Sequence, residues 1–126
     1  MKSEQKRLHA KAWVLMSKIV RLNGADWRGN NKCYTCGVIK NYKELQAGHF
    51  KHDKLDFDER NLKPQCVKCN HFHSGKLDVY AEKLIKEYGL KWFNKLVHDA
   101  DIHPGYKTEE LKTIIVKLKD KLKKYE

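Results

Sequence analysis

Four cysteines form two pairs, Cys33–Cys36 and Cys66–Cys69, with two residues inside each pair. A CxxC turn can point both of its sulfur atoms at one cation, so two such pairs can complete a tetrahedral zinc site. Two disulfides or four unrelated core thiols are the alternatives. The N-terminal residues are polar and basic rather than of the signal-peptide type, so we expect an intracellular protein, in which disulfides are rare. The spacing therefore predicts a structural zinc ion that joins two distant segments.

Size and charge narrow the class of protein further. The chain has 126 residues, for which we expect a single domain over residues 1–126. A domain this small often needs a cross-link in addition to its hydrophobic core, and a zinc ion would supply one. Lys and Arg number 27 against 16 Asp and Glu, a net charge of +11. This excess favours nucleic acid as the partner over a merely soluble, lysine-rich surface, and no apolar run is long enough to predict a membrane span.

Hydrophobic periodicity predicts helices on both sides of the cysteines. An apolar stripe at helical spacing predicts an N-terminal helix over residues 4–22, which Asn23–Gly24 would end. Residues 76–125 are predicted to form C-terminal helices, the last of them with Thr108 as its N-cap. The stripe from Leu111 to Leu122 can pack onto its own domain or pair two chains, so a homodimer is possible.

The centre, residues 32–75, is predicted to be a compact zinc-bound unit. We expect a short strand over residues 45–50, a polar loop, and a turn or edge segment over residues 61–64, because Pro64 cannot donate into a ladder. The second cysteine pair is expected to open a short helix through His73. The predicted fold class is therefore a small α+β domain in which a ββα-like zinc centre lies between helices.

Within this centre, His49 is the candidate for chemistry. A lone histidine is more often structural than catalytic. His49, however, lies between two segments that zinc would hold rigid, in a chain basic enough to attract phosphates. A neutral imidazole near a divalent metal can act as a general base that activates water. We therefore regard His49 as the candidate base.

Three further residues are candidates on local grounds. Asn70 follows the last cysteine and is either a helix N-cap or a metal ligand, because Asn70 and His73 would share one face of a helix. Asn61 is either a turn asparagine or a hydrogen-bonding brace for the loop that carries His49. Neither pair of alternatives is decided by the sequence.

The residue order His49, Asn61 and Asn70, set inside CxxC…CxxC, resembles the zinc-containing form of the HNH, or ββα-metal, nuclease motif. That resemblance implies that His49 is the general base, that Asn61 braces its loop, and that Asn70 binds a catalytic Mg²⁺ or Mn²⁺. The stretch AGHF…NLKPQCVKCN…SG is also similar to the phage NinG/Rap family of recombination nucleases, which act on branched DNA. The likeness covers residues 33–75 and implies a phage or prophage protein in the host cytoplasm.

One position departs from the HNH pattern. Many HNH proteins have an Asp directly before the catalytic histidine, as a second metal ligand, and here that position is Gly48. His73, Asp53 and Gln46, in that order, are the candidates to replace it. A missing ligand is consistent with weak metal binding or with an inactive relative.

The sequence thus predicts a metal-dependent DNA endonuclease that acts on branched or recombination DNA, such as a Holliday junction or a D-loop. The alternatives are a non-catalytic zinc module that binds nucleic acid and a zinc finger that binds protein. Basic side chains are expected to hold phosphates without reading sequence. The candidates for DNA contact are Arg28, Lys32, Lys51 and Lys54.

Overall fold

The computed structural model describes residues 3–126, and residues 1 and 2 of the predicted domain lie outside the described part. Helices flank a centre of short strands. The elements are α1 (Ser3–Leu22), β1 (Asn30–Lys32), β2 (Ile39–Asn41), β3 (Leu45–His49), β4 (Leu62–Cys66), α2 (Leu77–Tyr88), α3 (Leu90–Ile102) and α4 (Thr108–Leu122). The strands form two antiparallel pairs, β1 with β2 and β3 with β4. The predicted α+β class is confirmed.

Helices α1 and α4 pack together and cover one face of the β3–β4 pair. The buried stripe of α1 runs from Leu8 to Val20, and Leu111, Ile115 and Leu118 of α4 belong to the same core. Ala47 of β3 and Leu62 of β4 complete this core. The predicted stripe of α4 therefore packs onto its own domain. Lys107 precedes this helix as its N-cap, so the prediction that Thr108 caps it was wrong by one residue.

A second core lies between α2, α3 and the loop that follows β3. It consists of Phe50, Leu55, Tyr80, Leu84, Leu96 and Ala100. Gly89 separates the two helices with a φ of +95°, a conformation that favours glycine and lets the chain turn at once into α3. The Tyr80 hydroxyl donates to the Gly48 carbonyl at 2.8 Å, which ties this core to β3.

The β3–β4 pair carries both the candidate base and the second cysteine pair. Leu45 lies opposite Cys66, and His49 lies opposite Leu62. Pro64 is inside β4 rather than in a turn. Within the described residues β4 pairs with β3 alone, so a residue without an N–H is tolerated at its free edge. Of the two alternatives predicted for residues 61–64, an edge segment therefore describes the structure better than a turn.

The segment after β4 differs from the predicted short helix. It forms a π-helical turn over Lys68–Phe72, and His73 follows it as the C-cap. Asn70 lies inside this turn, so its interpretation as a helix N-cap was wrong. The structure also adds the β1–β2 hairpin, which was not predicted and which presents the first cysteine pair.

Candidate functional site

All four cysteines converge on one point. The β1–β2 hairpin presents Cys33 and Cys36, and the end of β4 with the turn after it presents Cys66 and Cys69. Their four sulfur atoms lie within 4.8 Å of one another. Gly37, with a φ of +82°, lets its N–H close the first turn onto the Cys33 carbonyl at 2.9 Å. Two segments far apart in sequence thus supply one cluster.

The cluster has the chemistry of a metal site. All four thiols are free, and Cys36 Sγ is 3.7 Å from Cys66 Sγ, too far for a disulfide bond. Burial opposes ionisation of Cys33, but hydrogen bonds from neighbouring backbone groups and Thr35 lower the pKa of its thiol to about 6. At Cys69, in contrast, burial outweighs the hydrogen bond from Thr35 and raises the pKa of the thiol to about 12. A cation would stabilise the remaining thiolates, and four thiolates suit a structural metal such as zinc.

His49 is the last residue of β3, and its side chain is mostly buried, with 19% exposed. Its Nε2 atom is 2.9 Å from Asp56 Oδ1. Its ring stacks on the indole of Trp13 from α1, with the centroids 4.7 Å apart and the planes 18° from parallel. The imidazole ring of His49, the candidate base, is therefore fixed by a hydrogen bond at its Nε2 edge and by stacking against one of its faces.

Asp56 joins His49 to a second histidine. The other carboxylate oxygen of Asp56, Oδ2, is 2.8 Å from Nε2 of His9 on α1. The hydrogen bond with His49 lowers the pKa of Asp56, and the bond with His9 adds to this effect against the opposing influence of burial. Neither His9 nor Asp56 was among the residues that the sequence singled out for this site. The sequence contains no local signal that pairs them, because they lie 47 residues apart.

Asn61 fixes the loop that leaves His49. Its side chain is completely buried. Its Oδ1 atom accepts from the Lys51 N–H at 2.7 Å, and its Nδ2 atom donates to the carbonyls of Lys51 (3.0 Å) and Lys54 (2.8 Å). These three hydrogen bonds tie the backbone at Lys51 and Lys54 to Asn61, as expected of a residue that braces this loop. Whether Asn61 contributes to catalysis stays a prediction.

Asn70 and His73 are not assembled into a comparable site. The Asn70 amide donates from Nδ2 to Gln46 Oε1 at 2.8 Å, and His73 is exposed beyond the end of the π-helical turn. Across residues 3–126, the four cysteines are the only group of three or more His, Cys, Asp or Glu whose ligand atoms lie within 4.8 Å of one another. Asp53 and His73 therefore belong to no second cluster of that kind. The described residues therefore offer no cluster of three such protein ligands for Mg²⁺ or Mn²⁺, and an ion bound there would take most of its ligands from water and phosphate.

The structure gives a physical reason for Gly48. Gly48 and Gln46 lie on the face of β3 opposite to His49, because side chains alternate along a strand. Gln65 of β4 is fully buried on that face, and a Cβ atom on Gly48 would overlap its Oε1 and lie 2.6 Å from its Cδ. An aspartate at this position would therefore have to displace the buried side chain of Gln65. Gln65 is a residue that sequence reasoning missed.

Gln65 links the two cysteine segments. Its Nε2 atom donates to Thr35 Oγ1 in the first CxxC turn at 3.0 Å and to the Gly75 carbonyl after the second at 2.8 Å. Its Oε1 atom is buried without a hydrogen-bond partner among the described residues. The atom instead occupies the space that a Cβ atom would take at position 48, which glycine leaves free.

The four predicted DNA-contacting residues lie in different parts of the surface. Lys51 and Lys54 belong to the braced loop after His49, and Lys54 lines a cavity together with His9 and Asp56. Lys32 lines a separate groove of about 670 Å³ that also holds Lys63, Lys83 and Lys86. Arg28 sits over the ring of Trp27, whose side chain is 87% exposed. Only the loop lysines are thus close to the candidate base.

Fold and site together define a small α+β protein that carries a four-cysteine cluster able to hold a metal at one end of the β3–β4 pair and a carboxylate-linked histidine at the other. A family model described as "Bacteriophage Lambda NinG protein" matches residues 2–126. The chain belongs to the NinG family. No solved structure matches it.

Named relatives come from several phages. The chain is 36% identical over 95 residues to "Protein ninG" of Salmonella phage P22, 34% to that of Escherichia phage 933W and 33% to that of Escherichia phage lambda. Each match covers 72% of this chain and 46% of the relative. The chain thus spans about half the length of the curated relatives that it matches. Within residues 3–126, no helix is both long and apolar enough to cross a membrane.

Proposed function

We propose that this chain is an HNH-type (ββα-metal) DNA endonuclease that hydrolyses phosphodiester bonds in branched or recombination-intermediate DNA, such as a Holliday junction or D-loop. The observation that carries the proposal is the environment of His49. An imidazole at a strand end, bound to a carboxylate on one edge and stacked on an indole, has the fixed geometry that a general base requires.

The chemistry needs few groups. A water molecule gives a proton to His49 and attacks phosphorus, while the bond from phosphorus to the 3′ oxygen breaks and that oxygen takes a proton from solvent. Asn61 keeps the loop after His49 in one conformation. We assign no step to a metal, because the described residues outside the cysteines form no cluster of three His, Cys, Asp or Glu donors that would hold one. Mg²⁺ or Mn²⁺ enters the proposal as a requirement for the assay to test.

Two further features support the HNH assignment. Strands β3 and β4 are followed by a short helical turn, which is the ββα order of that motif. Four cysteines on one metal leave no position for substrate, so zinc bound there would serve the fold and not the reaction.

Charge supports DNA as the substrate. Lys51 and Lys54 lie two and five residues after His49, and the groove around Lys63 holds four lysines. Such contacts grip phosphates without reading bases, so binding should weaken steeply with salt and depend on DNA shape. Competition among a four-way junction, a D-loop and a linear duplex of matched length tests this preference.

The decisive experiment is incubation with supercoiled plasmid and Mg²⁺ or Mn²⁺. His49→Ala should abolish nicking while DNA binding and zinc content persist. His98→Ala is the matched control, because His98 is an exposed histidine on α3. Wild-type nicking by His49→Ala would remove His49 from the reaction.

One other function has an observation in its favour. Gly48 offers no ligand and the described residues show no second cluster of three His, Cys, Asp or Glu donors, as expected for a zinc module that binds nucleic acid without cutting it. Salt-sensitive DNA binding by wild-type protein, with no nicking in either metal, selects that function. Failure to bind DNA at all would favour a zinc finger that binds protein.

A further inference from the structure

We propose that His9 and Asp56 are positioning residues that hold His49 in a single tautomer, with the proton on Nε2 and with Nδ1 free to accept a proton from water. This inference rests on the proposed function, because it assigns roles around the same base. It extends the site to α1, which lies outside the stretch of residues 33–75 that resembles known nucleases.

The hydrogen bonds use both oxygens of one carboxylate. Oδ1 of Asp56 is 2.9 Å from His49 Nε2, and Oδ2 is 2.8 Å from His9 Nε2. A carboxylate with a hydrogen-bond partner on one oxygen can still rotate about its Cβ–Cγ bond. A carboxylate with a partner on each oxygen cannot rotate in this way. His9 therefore fixes the orientation of the Asp56 carboxylate towards His49.

The protonation state of Asp56 decides which nitrogen of His49 carries the proton. Its pKa is lowered by the bonds from His49 and His9, so at neutral pH the carboxylate is ionised and can only accept. Nε2 of each ring must then be a donor. In neutral His49 the remaining lone pair is on Nδ1, which becomes the basic atom.

Helix α1 supplies the second restraint. Trp13 lies one helical turn after His9, so both side chains reach the same region from one face of α1. The indole stacks on the ring of His49, while His9 itself meets Phe57 edge-on at 5.1 Å. Because α1 is anchored by its core contacts with α4, these restraints are part of the folded domain.

The first test does not depend on nuclease activity. Nitrogen NMR of ¹⁵N-histidine-labelled protein, assigned with His49→Ala, distinguishes the two tautomers of neutral His49. We expect the Nε2–H form in wild-type protein. Asp56→Asn should lose this preference, because the Asn amide can donate to Nε2 as well as accept from it. A wild-type Nδ1–H tautomer, or an unchanged tautomer in Asp56→Asn, would overturn the inference.

The second test separates positioning from folding. His9→Phe keeps an aromatic ring beside Phe57 but removes the donor, whereas the amide of His9→Gln can still donate to Asp56. We expect His9→Phe to lower kcat about tenfold with unchanged KM, and His9→Gln to recover most of the loss. Asp56→Asn should lower kcat by about 10²–10⁴-fold, as loss of the correct tautomer does in other enzymes. Circular dichroism and zinc content serve as folding controls for all three variants.

The outcomes distinguish this inference from the proposed function. If wild-type protein nicks no DNA but shows the Asp56-dependent tautomer, the proposed nuclease activity is refuted and the positioning role of Asp56 is supported. Protein that nicks DNA with wild-type kcat in both Asp56→Asn and His9→Phe supports the nuclease and refutes the positioning.

Discussion

The two faces of the β3–β4 pair are built in opposite ways. On the His49 face, titratable and aromatic side chains from α1 and the following loop surround one imidazole. On the Gly48 face, two glutamines and an asparagine occupy the space, and glycine leaves room for Gln65. One face is organised around a group that can transfer a proton, and the other is organised around neutral amides that connect the cysteine segments. Adjacent residues of one strand can therefore serve chemistry and packing separately.

The largest expected effect concerns the cysteine cluster, on which both faces depend. We expect one zinc ion per chain, because four thiols surround one point. Zinc binding of this kind contributes about 10–16 kcal/mol to folding at neutral pH in small zinc domains. Elemental analysis followed by thermal unfolding with and without a strong chelator checks this. Native structure and melting temperature retained in zinc-free protein would contradict it.

The next effect tests the packing on the Gly48 face. Gly48→Ala should destabilise the protein by about 1–3 kcal/mol, because the added methyl group overlaps the buried amide of Gln65. Gln65→Ala in the same chain removes the overlapping atoms, so the double variant should lose less than the two single losses added together. Denaturant unfolding of the four proteins measures this coupling. Strict additivity would mean that Gln65 is not what restricts position 48.

A loss of stability of similar size is expected when Asn61, which braces the loop after His49, is replaced. Asn61→Ala leaves the Lys51 N–H and the carbonyls of Lys51 and Lys54 without their partner. Each buried group left unpaired costs about 1–3 kcal/mol, less where water can enter. Unfolding measurements should show this loss, and amide hydrogen exchange at Lys51 should accelerate. Unchanged exchange there would show that the loop does not depend on Asn61.

Sequence reasoning succeeded where structure follows from local spacing. The CxxC pairs predicted the cysteine cluster, and apolar periodicity predicted an N-terminal helix over residues 4–22, where the structure has Ser3–Leu22. It failed where a role depends on tertiary approach. The contact of His9 with Asp56 spans 47 residues, and no spacing rule connects an N-terminal helix to a loop aspartate. The sequence showed that Gly48 departs from the HNH pattern, but only the position of Gln65 explains why.

The pH dependence of stability should come partly from the His49 face. The hydrogen bonds from His49 and His9 lower the pKa of folded Asp56 below the usual value of 3.8. Such a group adds stability above its unfolded pKa, and that contribution is lost as pH falls through the folded pKa. Asp56→Asn should therefore reduce stability at neutral pH and flatten its decline in acid. Urea titrations from pH 7 down to pH 3 measure this, with exposed Asp101→Asn as the control. Equal acid sensitivity in wild-type and Asp56→Asn protein would contradict it.

The smallest expected effect lies at Asn70, on the Gly48 face. Among residues 3–126 its amide hydrogen-bonds Gln46 alone, at the surface, so Asn70→Ala should change the free energy of unfolding by no more than about 0.5–1 kcal/mol. That small cost makes the variant informative about function, because a change in nicking cannot then be ascribed to unfolding. A rate that falls strongly, and recovers at high Mn²⁺, would indicate that Asn70 binds a cation and that both faces take part in the reaction. A rate equal to that of wild type would confine the chemistry to His49 and its partners on the opposite face.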